Sequence, residues 1–127
     1  MKKLIVGLMA LALLASPAMG QVNAPFPYKA SGLTNSAVTV KASKGTLQWA
    51  SCYNPSNAVA YVQVFDIAGS VTLGSSVPKL SLAIASGANL PITGPATFIN
   101  AIKVAATTTA GGSTAPSTAL DCNFGFN

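Results

Sequence analysis

Apolar side chains along this chain recur mostly at every second residue, not at every third and fourth. That spacing lines up one face of an extended strand and argues against a fold built from amphipathic helices. In "TLQWASCY", Thr46 to Tyr53, one face carries Leu47, Trp49, Ser51 and Tyr53, and the other carries Gln48, Ala50 and Cys52. In "LDCNFGF" near the end, Leu120, Cys122, Phe124 and Phe126 share a face against Asp121, Asn123 and Gly125. "AVAYVQVFDI", Ala58 to Ile67, is apolar on both faces, as a central strand must be. Asn54-Pro55-Ser56-Asn57 separates it from the first run and favours a turn, so these two runs are expected to pair as a hairpin.

Further strands are expected at Ala37–Lys41, at Val71–Leu73 and at Lys79–Ile84, where Pro78 fits only at the start because it has no N–H to donate. Thr97 to Thr109 alternates as one long strand; its alanines would suit a helix, but its Thr and Val crowd one at the side-chain root. About seven to eight short strands broken by turn signals read as all-β, a single antiparallel β-sandwich. Jelly-roll and immunoglobulin-like orders both fit.

The first residues set the compartment. Met1-Lys2-Lys3 is a positive start, and Leu4 to Ala15 is an apolar run too short for a membrane-spanning helix. Pro17 and then Ala18-Met19-Gly20 complete the pattern of a cleavable signal peptide, residues 1–20. The expected product is exported, to the extracellular space, cell surface or periplasm or into a virion, with no stable membrane insertion after cleavage. Residues 21–36 then read as an extended N-terminal arm and 37–127 as the sandwich domain.

Charge excludes several functions. Beyond the signal segment only Lys29, Lys41, Lys44, Lys79 and Lys103 face Asp66 and Asp121, and the chain has no Arg, Glu or His. Nucleic-acid binding needs clustered cations, so it is not expected. Half the residues are hydrophobic, which favours a packed core over disorder. No histidine can serve the many Ser and Thr as a base, and Gly111-Gly112 lacks the Lys-Ser/Thr of a phosphate loop. Asp66 and Asp121 would act as a glycosidase pair only if the fold joined them. No enzyme activity, catalytic residue, cofactor or metal site is therefore expected.

Cys52 and Cys122 are the only cysteines. In an oxidising compartment they are expected to form one disulfide, tying the early strands to the last one. The long loop so closed is worth about 4 kcal/mol in the chain-entropy model. Two cysteines without histidine do not complete a zinc shell.

What remains is surface. Pro25 and Pro27 keep the arm extended, with Phe26 and Tyr28 as its aromatic contacts. The arm either folds over its own domain or adds a strand to a neighbouring copy, a contact that repeats into rings or filaments. Trp49, Tyr53 and Tyr61 form a candidate ligand platform for sugar rings if exposed, or belong to the core if not. The expected partners are copies of the chain or other structural subunits, with carbohydrate as the alternative.

The stretches "TLGSSVPKLSLAIASGANLPI" and "FINAIKVAATTTAGGSTAPSTALDCNFGF", within residues 71 to 126, resemble small β-rich structural proteins of bacteriophage particles and related bacterial surface proteins. The small size, expected export, low charge and a final alternating strand with Phe126 next to last are similar to chaperone–usher pilins. Both resemblances imply a structural subunit of an extracellular or virion assembly: a filament, an appendage, a capsid decoration or a spike. A secreted carbohydrate-binding or adhesion module is the alternative.

Overall fold

A computed structural model describes residues 25–127; the expected signal peptide and residues 21–24 of the expected arm lie outside the described residues. Eight strands follow in chain order: β1 (Phe26–Leu33), β2 (Val38–Lys41), β3 (Gly45–Tyr53), β4 (Ala60–Phe65), β5 (Leu80–Ile84), β6 (Asn89–Phe98), β7 (Ile102–Thr107) and β8 (Leu120–Phe126). They form two antiparallel four-stranded sheets, sheet A in the order β1-β8-β3-β6 and sheet B in the order β2-β7-β4-β5. Strands equally far from the two ends of the series pair with each other: β1 with β8, β2 with β7, β3 with β6 and β4 with β5. The β3–β8 and β4–β7 pairings then close each sheet. This nesting is the strand order of a jelly roll, which separates the two sandwich orders that alternation alone leaves open.

The core lies between the sheets. Phe98, Phe124, Leu47, Leu120, Ile84, Ile102 and the β4 valines Val62 and Val64 are fully buried there. Each such side chain contributes roughly 1.5–3 kcal/mol by leaving water. Cys52 and Cys122 belong to the same layer, directly opposite on β3 and β8, with Cα atoms 4.1 Å apart and their sulfurs bonded at 2.13 Å. Such a separation is that of the narrow pair of an antiparallel ladder, the position where opposed side chains come closest. The bridge therefore staples two neighbouring strands of one sheet.

Three expectations about the strands are corrected. First, β3 and β4 are not a hairpin, because they lie in different sheets. The turn between them crosses the sandwich on a buried Asn54. Its Nδ2 donates to the carbonyls of Ala58 and Ile84, each at 2.9 Å, and its Oδ1 accepts from the Ser56 amide at 3.0 Å. Main-chain bonds from Asn54 to Ala88 and from Gly87 to Asn54 join this crossing to the β5–β6 connection. Second, Val71–Leu73 is not a strand; Thr72 is held in a turn by its carbonyl's bonds from Ser75 and Ser76. Third, Thr97–Thr109 is not one strand. It breaks at Ile99–Ala101 and passes from sheet A to sheet B. Of the two placements open for the arm, it takes the first, folding onto its own domain: Phe26–Leu33 is β1, paired along its length with β8 of its own chain. β6 is an edge strand, which is why it tolerates Pro91 and Pro95.

Two outcomes are expected. Replacing both cysteines by alanine lowers unfolding stability by about 4 kcal/mol, read by urea denaturation, and thiol reagents reach the reduced sulfurs of the parent only once denaturant is added. Asn54→Ala removes the acceptor of the buried Ser56 amide and one donor to the Ile84 carbonyl. It should cost about 2 to 4 kcal/mol in the same assay.

Candidate functional site

The two sheets differ on their outer faces. On sheet B, outward-pointing Gln63 and Phe65 of β4 and Ala105 of β7 are nevertheless fully buried. Two long connections cover them. Lys103 of β7 donates to the carbonyls of Ala68 and Gly69, which holds the β4–β5 connection down. Gln63 donates to Thr107 Oγ1 at 2.5 Å and to the Gly112 carbonyl at 3.1 Å, which holds the β7–β8 connection. Tyr61, half-buried, points to this covered side.

Among the described residues, sheet A has no such cover. Leu47 points into the core, and a register shift between Leu47 and Trp49 changes the alternation, so that Ala50 and Cys52 are buried next. Trp49, Ser51 and Tyr53 consequently face outward together. Asn123 lies beside Ser51 and Asp121 beside Tyr53 on β8. Lys29 and Ser31 flank them on β1, and Asn89 and Thr93 on β6. Every one of these flanking residues is exposed, and Tyr53 keeps 40% of its surface in water.

Trp49 is opposite Gly125. A side chain at Gly125 would collide with Nε1, Cε2 and Cδ1 of the indole. The indole thus lies across the sheet, in space that only glycine leaves free, and is half-buried there. This residue escapes a reading of the alternation alone; the signal for it is a glycine breaking an otherwise aromatic strand.

The proposed platform is thereby divided. Trp49 and Tyr53 share the open face, and Tyr61 lies on the other side of the sandwich. The arm residues are divided too. Tyr28 is half-buried against the core opposite Phe124, whereas Phe26 is 64% exposed at the sheet edge, its ring 6.2 Å from that of Phe126. The carboxylates do not meet: Asp121 sits beside Tyr53 at one end of β3, and Asp66 holds the β6–β7 turn, next to the opposite end.

Asp66 is structural in its contacts. It accepts from the amides of Ile99 and Asn100 at 2.8–3.1 Å and pairs with Lys79 at 3.3 Å. Burial works to raise its pKa, but the Ile99 and Asn100 amides, Lys79 and the Ala101 amide together lower it to about 2. A cavity of about 410 Å3 lies nearby, lined by residues such as Gly45, Phe98, Ile99 and Asn127. Among the described residues no cluster of three or more His, Cys, Asp or Glu could hold a metal.

Fold and face define a small, disulfide-stapled jelly roll with one covered and one open sheet face, the open one carrying aromatic side chains among amides and hydroxyls. Comparisons with protein-family models, with curated proteins and with solved structures find no match to this chain.

The Asp66 contacts predict an acid-dependent loss of stability. Since its folded pKa lies below the ordinary value of 3.8, its contribution is fully present above that value and is lost as pH falls through about 2. The gap in thermal midpoint between the parent and Asp66→Asn should therefore shrink from pH 4 toward pH 2.

Proposed function

We propose that this chain is an exported, non-enzymatic binding module whose open sheet face takes carbohydrate, in an adhesive role. The carrying observation is the asymmetry of the sandwich: loops cover one outer face, and the other presents Trp49 and Tyr53 to solvent. Sugar rings offer apolar C–H faces and a rim of hydroxyls. Aromatic surfaces match the first, and the amides of Asn89 and Asn123 match the second as both donors and acceptors. Export is supported by the signal-like pattern of residues 1–20 and by the disulfide, which suits an oxidising compartment. Among the described residues no helix is long and apolar enough to cross a membrane. The lack of histidine and the separation of Asp66 from Asp121 support a non-enzymatic role.

A second reading, a structural subunit of an extracellular or virion assembly, is favoured by exposed Phe26 at the free edge of sheet A. Jelly rolls serve both capsids and lectins, so the strand order favours neither. The edges of sheet A oppose assembly by strand addition. β1 carries Pro27 and a register shift after Ser31, and β6 carries Pro91 and Pro95. These features blunt pairing with another chain. Assembly contacts at sheet A would then run through side chains.

Glycan-array binding by residues 21–127, together with light scattering and electron microscopy, decides between the readings. The expected result is a glycan signal from discrete monomers. Ordered oligomers with an empty array would move the function to the structural subunit.

A further inference from the structure

We infer that the ligand of this face is a linear, electrically neutral polysaccharide lying along β3, an inference that rests on the carbohydrate reading above. Trp49 and Tyr53 are four residues apart on one strand, a separation of about 13 Å at the rise of an antiparallel strand. A single sugar ring cannot reach both. A ligand that uses both aromatics must present several linked rings.

The face is also unsuited to a terminal sugar. The cavity near Phe98 and Asn127 is distinct from it, and among the described residues the ranks around Ser51 form an uncovered sheet surface without walls. An open surface gives little to one ring and more with each added ring. A second copy of the chain fits worse. The interior of a stable interface is apolar, whereas the middle of this face is Ser51 beside exposed Asn123.

Charge selects within the class. The cross-strand ranks carry one cation, Lys29, and one anion, Asp121, on neighbouring strands. Their fields oppose each other, so nothing on this face rewards a polyanion or a polycation. Stacking and hydrogen bonding are left to recognise the chain. Gly125 supports this use of Trp49 by letting the indole lie across the sheet.

Trp49 is the sole tryptophan, so its fluorescence reports on this face alone. The disulfide-bonded mature chain is titrated with neutral glucans, mannans, xylans and galactans, with an oligosaccharide ladder from each polysaccharide that binds, and with polyuronates for comparison. Affinity should rise about tenfold or more from disaccharide to hexasaccharide, with a shift in tryptophan emission and no preference for polyuronates. By calorimetry, Trp49→Ala and Tyr53→Ala should each weaken hexasaccharide binding about tenfold or more. Gly125→Ala should shift the free protein's emission and weaken binding, whereas Tyr61→Ala should leave binding unchanged. Circular dichroism and unfolding midpoints confirm that each variant is folded. Binding that is independent of length, stronger for polyuronates, or indifferent to both aromatic substitutions overturns this inference while leaving carbohydrate binding standing. No binding to any glycan, on the array or in titration, overturns both.

Discussion

The Cys52–Cys122 bond joins β3 and β8, the two inner strands of sheet A, at directly opposed residues. Its main consequence is register. Side chains on a strand alternate with a period of two, so a slip of one residue would turn Trp49, Ser51 and Tyr53 inward and expose Ala50. A covalent pin at one rung forbids that slip. Asn123 then stands beside Ser51, and Gly125 beneath Trp49. The bridge also spans a sequence separation of 70 residues, and that span contains all of β4 to β7. One bond thus restrains most of the unfolded chain and sets the composition of the open face.

Alternation makes the strands legible where a strand is regular and half-buried. β2, β3, β5 and β8 read directly from their residues, as does the double-sided apolar character of β4. What alternation does not carry is which layer a strand joins. Asn54-Pro55-Ser56-Asn57 looks like a hairpin turn because its residues favour tight turns. Asn54 instead spends its side chain on carbonyls of both the turn and β5, and that bends the chain across the sandwich. The run from Thr97 to Thr109 seems continuous because Phe98, Ile102 and Val104 all point at the same core, from opposite sides of it. The group that breaks the run is Asp66, more than thirty residues earlier, so no local pattern reveals it. β6 is hidden by its prolines, which only its edge position makes acceptable.

The open face is half legible for a related reason. Parity groups Trp49 with Ser51 and Tyr53, but it cannot label that group as inner or outer. It also groups Leu47 with them, and the register shift after Leu47 undoes this. Tyr61 looks equivalent to Trp49 in sequence. The difference lies in connections rich in Gly, Ser and Thr, which have no periodicity and yet fold over one sheet and not the other. Their anchors, Gln63 and Lys103, are single side chains inside strands.

Those anchors account for how this chain uses its few charges. Lys79 binds Asp66 and the Thr97 carbonyl and lies 5.0 Å from the ring centre of Phe98. Lys103 holds a loop, and Lys41 sits 5.5 Å over the ring of Phe126. Ion pairs as exposed as Lys79–Asp66 add little stability one at a time. Their effect is to fix turns at the end of the sandwich and on its covered side. Once these positions are taken, the open face retains one charge of each sign. A surface of that kind cannot draw partners from a distance through its field. On the proposed carbohydrate reading, a ligand there would be recognised at contact, by the fit of flat apolar rings and the hydrogen bonds around them, and selectivity would depend on shape and length rather than on charge.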